Sequence, residues 1–290
     1  MDSPTLTVVL GATGTIGSEL VRQLSGAGVP VRALTRDARK VQPLPLVDWR
    51  EADLNRPASL DDAFRGASRL FLLSSVTEHF AAEQLAAVQA AKRAGMTYLV
   101  KLSALGASAQ SNSLVGRLHW QVEEAVRQSG MAWAMLRPHV FMQNLLGSVA
   151  ATVRLERKVY SATADGKIPF IDTHDIAAVA ARILLKPETY ANRNYYLTGP
   201  EAVGYRDVAY LLTELLGTPV GYQVETLEEA RQRLEAEGIP GWLREGYLAL
   251  IAYQRAGGAT ATVSPAVAQL LGRPARSIET FLRDHLPAFR

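Results

Sequence analysis

The chain has 290 residues, with 31 lysines and arginines against 28 acids, a formal net charge of +3 and no cysteine. Missing cysteine excludes a disulfide framework, a thiolate nucleophile and Cys-ligated zinc. The charge is small and unclustered, which speaks against a nucleic-acid partner, and no segment approaches the ~18 apolar residues of a membrane span.

At the N-terminus, Met1-Asp2-Ser3-Pro4 lacks a basic stretch, and the first apolar run is too short for a signal-peptide core. The cytoplasm is therefore the expected compartment. Leu6 to Leu10 is that first run, β-branched and of strand length. Ser18-Glu19-Leu20-Val21-Arg22-Gln23-Leu24 then reads as an amphipathic helix, with Ile16, Leu20, Val21 and Leu24 on one face. Between strand and helix stand Gly11, Thr13, Gly14, Thr15, Ile16 and Gly17. Glycines there allow a tight turn and let phosphate oxygens approach the free N–H groups of a helix N-terminus, where the dipole favours negative charge. The spacing is G-x-x-G-x-x-G rather than G-x-G-x-x-G. A purely structural glycine turn is the competing reading.

A second strand, Val29 to Leu34, runs into Thr35-Arg36-Asp37. An acid at this strand end would hold the ribose 2′-hydroxyl of NAD, whereas an arginine accommodates the 2′-phosphate of NADP. Arg36 stands there, with Arg39 and Lys40 shortly after, so NADP(H) is the expected cofactor. A solvated basic turn balanced by Asp37 is the alternative.

Strand and helix signals go on alternating: strand Leu46 to Arg50, helix Ser59 to Phe64, strand Leu70 to Leu73, helix Glu78 to Ala94, strand Tyr98 to Leu102, helix Leu114 to Ser129, strand Ala132 to Leu136. Such alternation predicts an α/β fold on a doubly wound parallel sheet. Beyond Pro138 come a helix from Met142 to Val153, short strands near Val159 and Ile168, a helix from Thr173 to Leu185 and a strand Tyr195 to Thr198. From Tyr205 the pattern is helical: Tyr205 to Leu216, Leu227 to Glu237, Trp242 to Arg255, Ser264 to Leu271 and Ile278 to His285. The expected organisation is a dinucleotide-binding domain over residues 1–150 and a smaller, mostly helical substrate lobe over 151–290. Segments near 168–185 and 194–199 are expected to return to the first domain. There is no internal repeat.

Taken together in order and spacing, several segments resemble the NmrA-like, atypical short-chain dehydrogenase/reductase family over nearly the whole chain. They are Gly11 to Gly17, Arg36, Ala52-Asp53-Leu54, Leu72-Leu73-Ser74-Ser75, Lys101-Leu102-Ser103-Ala104, His119 through Glu123-Glu124, and Leu136-Arg137-Pro138 with Phe141 and Asn144. Phe170-Ile171-Asp172, Asp175-Ile176-Ala177 and Tyr196 to Pro200 complete the set. The resemblance implies a Rossmann-type sheet binding NADP(H) along its C-terminal strand ends. Asp53, Leu54, Ser74, Ser75 and Pro138 would then belong to the cofactor site. A turn acid and ordinary turn serines are the plainer readings of Asp53, Ser74 and Ser75.

Many short-chain dehydrogenases pair a Tyr with a Lys four residues later, and this chain has no such pair. Aligned on Glu123, the long helix puts His119 at the Lys place and Val115 at the Tyr place. Some NmrA-like reductases, similar to quinone oxidoreductases and triphenylmethane dye reductases, also carry His there. His119 is thus the leading catalytic candidate, a side chain titrating near neutrality. Lys101 and Ser103 lie where a proton relay or ribose contact would serve, with a solvated strand-end charge as the plainer reading of Lys101, and His139 ranks below His119. Phe141, Asn144 and Trp242 are candidates for the substrate. No metal motif is visible, and a hydrolase triad of Ser103 and His119 lacks the Gly-x-Ser-x-Gly elbow.

The leading expectation is an NADPH-dependent reductase transferring hydride to a small apolar electron-poor acceptor, a quinone, enone or carbonyl. A redox-sensing protein that binds NADP(H) and regulates a partner without turnover is the alternative. A nucleotide-sugar epimerase or dehydratase is disfavoured, because it too needs the Tyr and Lys. The expected partner is a small-molecule substrate, with no nucleic acid and no membrane; a homodimer is compatible with the sequence.

Overall fold

A computed structural model describes residues 5–41, 43–56 and 58–290. The reading of the first four residues as lacking a leader lies outside them. The first half alternates as its sequence does: β1 (Thr7–Val9), α1 (Thr15–Gly26), β2 (Val31–Thr35), β3 (Val47–Glu51), α2 (Ala58–Phe64), β4 (Arg69–Leu72), α3 (Phe80–Arg93), β5 (Tyr98–Leu102), α4 (Leu114–Arg127) and β6 (Ala132–Pro138). There follow α5 (Ser148–Glu156), β7 (Lys158–Ser161), α6 (Thr173–Leu185), α7 (Pro187–Tyr190), β8 (Arg193–Leu197), α8 (Tyr205–Leu216), β9 (Gly221–Val224), α9 (Leu227–Ala236), α10 (Gly241–Ala256), α11 (Ala266–Leu271) and α12 (Ile278–Asp284).

The main sheet has the order β3-β2-β1-β4-β5-β6-β8, and β1 to β6 pair in parallel. Strands covered on both faces read as near-continuous apolar runs, and all five residues of β5 are buried, the charged Lys101 among them. The strand order reverses between β1 and β4. Ligands of open α/β sheets lie at such a switch point, outside the carboxyl ends of the strands. One face of the sheet packs Leu60, Phe64, Phe80 and Val88 against Val8, Leu70 and Leu99, all essentially without exposed surface. Each such side chain contributes ~1.5–3 kcal/mol by leaving water.

The chain divides into two compact units. One comprises Met1–Ala109, Gly116–Arg137 and Ile176–Tyr195; the other comprises Gln110–Val115, Pro138–Asp175 and Tyr196–Arg290. In the second unit the helix expected from Met142 to Val153 is broken. A 3-10 turn over Met142–Leu146 is separated from α5 by Gly147, whose ψ of −116° is not helical. Ile168 makes an isolated bridge to Val203 rather than a strand. β7 pairs in parallel with β9, which the sequence reading leaves out. This unit has its own core, in which Phe170, Leu212, Phe281 and Phe289 are buried.

Among the described residues no helix is long and apolar enough to cross a membrane, and no group of three or more His, Asp or Glu side chains is disposed to hold a metal ion.

Candidate functional site

Gly11 leaves β1 with φ +69°, a left-handed conformation that suits glycine. Its carbonyl accepts from Gly14 N at 3.0 Å, closing the turn, and Gly14 O accepts from Ser18 N at 2.9 Å, starting α1. Helix geometry then leaves the N–H groups of Thr15, Ile16 and Gly17 without an intrahelical acceptor. The first turn of α1 carries no acid, and Gly14 brings no side-chain cap. A Cβ on Gly11 would meet Leu73 side chain and carbonyl at 3.0 Å, and one on Gly17 would stand 2.1 Å from Gly11 O. Gly14 is different: it is exposed, and a Cβ there would meet only Gly11 O, at 3.4 Å. The three glycines therefore place bare backbone donors at the switch point.

At the end of β2, Arg39 and Arg36 part company. Arg39 forks Asp37, Nε to Oδ1 at 2.8 Å and Nη2 to Oδ2 at 3.0 Å, and its backbone N–H also donates to Oδ1. These bonds to Arg39 hold the Asp37 carboxyl below its ordinary range. Asp37 is thus balanced by Arg39, while Arg36 is exposed and in no ion pair among the described residues. Asp53 is tied into the next turn. Its Oδ1 accepts from Asn55 N at 3.0 Å, the first cause of a lowered carboxyl pKa, and Ser59 Oγ accepts from Asp53 N. Leu54 is half-buried against the core. After β4, Ser74 Oγ accepts from Gln84 Nε2 at 3.0 Å, and Ser75 is exposed.

Lys101 and His119 meet at the C-terminal end of β5. That end lies two strand spacings from β1, about 10 Å along the sheet. Lys101 is 0% exposed and His119 7%. Lys101 Nζ lies 3.0 Å from Leu102 O and 3.0 Å from His119 Nδ1. The ring of Phe80 packs edge-on to His119 and under Lys101 Nζ. Burial brings the lysine down to about 7, with Glu123 opposing and Arg137 reinforcing. Burial, then the charge of Lys101, holds His119 well below its ordinary range.

Ser103 takes part in a different cluster. Its Oγ donates to Glu123 Oε1 at 2.6 Å. Glu123, 0% exposed, also accepts from Arg137 Nε at 2.9 Å and Nη2 at 2.5 Å, and from Arg127 Nη2 at 2.7 Å. Burial alone would push this carboxyl up, but Arg137, Ser103 and Arg127 together hold it below its ordinary range. Arg127 in turn lies over Trp120 and Trp133. Neither Arg137 nor Glu123 stands out in the sequence as a functional residue. A charged side chain at the end of an otherwise apolar strand, as at Leu136-Arg137-Pro138, was the signal available.

In the second unit, Pro138 is buried at the end of β6. Both ring nitrogens of His139 are engaged: Nδ1 accepts from Val140 N at 2.8 Å, and Nε2 lies 3.1 Å from Thr260 O. Burial pulls this ring down to about 4, so it is a neutral structural histidine. Phe141 is half-buried and bridged to Ile171, while Asn144 is exposed one turn on. Trp242, on α10, buries an indole N–H that has no partner among the described residues.

The profile of the NmrA-like family matches residues 4–264. An NAD(P)H azoreductase of Xenophilus azovorans is 37% identical over 284 residues, covering 97% of this chain and 98% of that protein. A (4-alkanoyl-5-oxo-2,5-dihydrofuran-3-yl)methyl phosphate reductase of Streptomyces griseus is 34% identical over 284 residues, covering 97% and 98%. Among solved structures, an NADPH-dependent quinone oxidoreductase of Escherichia coli complexed with NADPH superposes with a TM-score of 0.86, at 26% identity, over 97% of this chain and 99% of that one.

Proposed function

The chain belongs to the NmrA-like family, and on that premise we propose that it is an NADPH-dependent reductase acting on a small, apolar, electron-poor acceptor. Azo compounds and quinones are the classes its relatives' names put forward. The structural observation that carries the reading is the glycine turn at the switch point, with an uncommitted Arg36 at the neighbouring strand end.

These residues fit a dinucleotide. The N–H groups of Thr15, Ile16 and Gly17 would take the pyrophosphate, and the open approach at Gly14 admits its oxygens. Arg36 would take the 2′-phosphate through charge-assisted bonds. Thr13, Asp53, Leu54, Ser74, Ser75 and Pro138 are assigned beside it. Bound there, NADPH supplies a hydride to the acceptor. His119 is assigned to the acceptor's side of the reaction, and Phe141, Asn144 and Trp242, with its unpartnered indole N–H, to acceptor recognition. Ser103 supports this site through Glu123 rather than as an acid, since its hydroxyl proton is already donated. The reading places the chain in the cytoplasm, where NADPH is renewed. A homodimer is the assembly a sedimentation run would test.

The test is paired. NADPH and NADH are titrated by nicotinamide fluorescence, and NADPH loss is followed at the absorbance of the reduced ring against azo compounds, quinones and enones. Tight, NADPH-selective binding with saturable, acceptor-dependent oxidation is expected. Selective binding without turnover across the panel would instead favour a redox sensor on the same fold.

A further inference from the structure

Lys101 has no exposed surface, and its Nζ lies within hydrogen-bond distance of two groups, Leu102 O and His119 Nδ1, each at 3.0 Å. An ammonium can only donate, so whenever Lys101 is charged Nδ1 accepts and the imidazole proton sits on Nε2. Two acceptors serve both donors of a neutral amine but leave one of an ammonium's three unserved. Nε2 has no protein partner among the described residues, and His119 as a residue retains 7% exposure. The groups facing Lys101 are His119 and Glu123 from α4, Arg137 from β6 and the ring of Phe80 from α3. Because His119 is held well below its ordinary range and Lys101 titrates at about 7, the one proton this pair shares near neutrality rests on Lys101.

We propose that Lys101 and His119 form a two-step proton relay in which His119 Nε2 protonates the anion left on an acceptor that has taken hydride, while His119 Nδ1 takes a proton from Lys101 Nζ. The relay rests on the reductase reading and supplies the proton that a Tyr and Lys pair would otherwise deliver. The acceptor gains one hydride and one proton; the Nε2–H bond breaks as the Nδ1–H bond forms, and Lys101 passes from ammonium to amine. The imidazole stays neutral and exchanges tautomer. Water then returns a proton to Nε2, and Nδ1 hands its own back to Lys101. Lys101 never meets the substrate; it is a positioning residue that fixes the tautomer and recharges it.

Two readouts test this. In the free protein, imidazole 15N shifts of His119 should report the Nε2–H tautomer and a transition near pH 7 that vanishes in Lys101→Met. No transition between pH 5 and 9, or protonation of His119 in the ordinary histidine range, would overturn the relay. The second readout compares an azo compound, which needs a proton with its hydride, with a triarylmethyl cation, which is neutralised by hydride alone. The ratio of azo to cation turnover should fall at least about tenfold in Lys101→Met, within the range of general acid catalysis. An unchanged ratio, whether both rates fall or neither does, overturns the relay alone. Absence of turnover with either acceptor in the wild-type protein overturns the reductase reading and the relay together.

Discussion

A Cβ on Gly17 would stand 2.1 Å from the carbonyl oxygen of Gly11, whereas one on Gly14 would meet only that oxygen, at 3.4 Å. Two glycines three residues apart thus do different work. Gly17 lets α1 lie against the end of β1, and Gly14 keeps an approach clear. The backbone of Gly14, φ −83° and ψ 171°, suits any residue. Gly14→Val should therefore abolish the rise in Tm that NADPH confers, since ligand stabilisation follows occupancy, while leaving the Tm of the free protein nearly unchanged. Gly17→Ala should cost ~1–3 kcal/mol by overpacking in urea titrations. Retained NADPH affinity in Gly14→Val would remove the turn from the cofactor site.

Arg36→Ala should weaken NADPH binding by about 1.5–3 kcal/mol, the range for hydrogen bonds to charged groups, and leave NADH binding nearly as it was. Arg39→Ala should do far less, because Arg39 is committed to Asp37. Titrations of both nucleotides on both variants check this; equal effects of Arg36→Ala on NADPH and NADH would place Arg36 outside the site.

Glu123 gathers Ser103, Arg137 and Arg127 at the junction of β5, β6 and α4. Glu123→Gln strands the buried Arg137 and should cost ~3–5 kcal/mol. Replacing both partners, Glu123→Leu with Arg137→Met, should cost less than the single change. The folded-state pKa of Glu123 lies below its unfolded value. Its contribution is therefore present above the unfolded pKa, ~4.3, and lost as pH falls through the folded one. Acid unfolding curves of Glu123→Gln should lack this component.

Lys101 has the opposite sign. Its folded pKa, about 7, lies below the ordinary 10.5, so between those values the unfolded chain binds the extra proton and stability rises with pH. Lys101→Met should be more stable than the parent at pH 7 and below, with the gap narrowing as pH climbs towards 10.5. Urea midpoints across pH 6 to ~10 check it; a gap independent of pH would mean that Lys101 keeps an ordinary pKa.

Much of the fold was legible because most elements leave their own apolar pattern, as β4, β5 and β6 do. Tyr98–Leu102, Thr173–Leu185 and Tyr205–Leu216 have the bounds that periodicity assigns. β9 was not legible: Gly221-Tyr222-Gln223-Val224 is four residues, mostly exposed, and owes its extension to pairing with β7, over sixty positions earlier in the chain. Gly147 was visible as a glycine, yet only packing decides whether such a residue breaks a helix. In the candidate site, the turn from Gly11 to Gly17 and the strand end at Arg36 are local and could be read. The meeting of Lys101 with His119, 18 positions apart, needs β5 and α4 to be packed first. A lysine inside Tyr98-Leu99-Val100-Lys101-Leu102 was the one hint, and a solvated strand end was the reading it invited; burial overturns that.

Hydride transfer from bound NADPH is best read in a single turnover with NADPH deuterated at one face of nicotinamide C4, using a triarylmethyl cation, whose new C–H bond does not exchange with water. One deuterium should appear in the reduced dye from one labelled face and none from the other. Reduced dye without deuterium from either face, or tight NADPH binding with no reduced product, would contradict it.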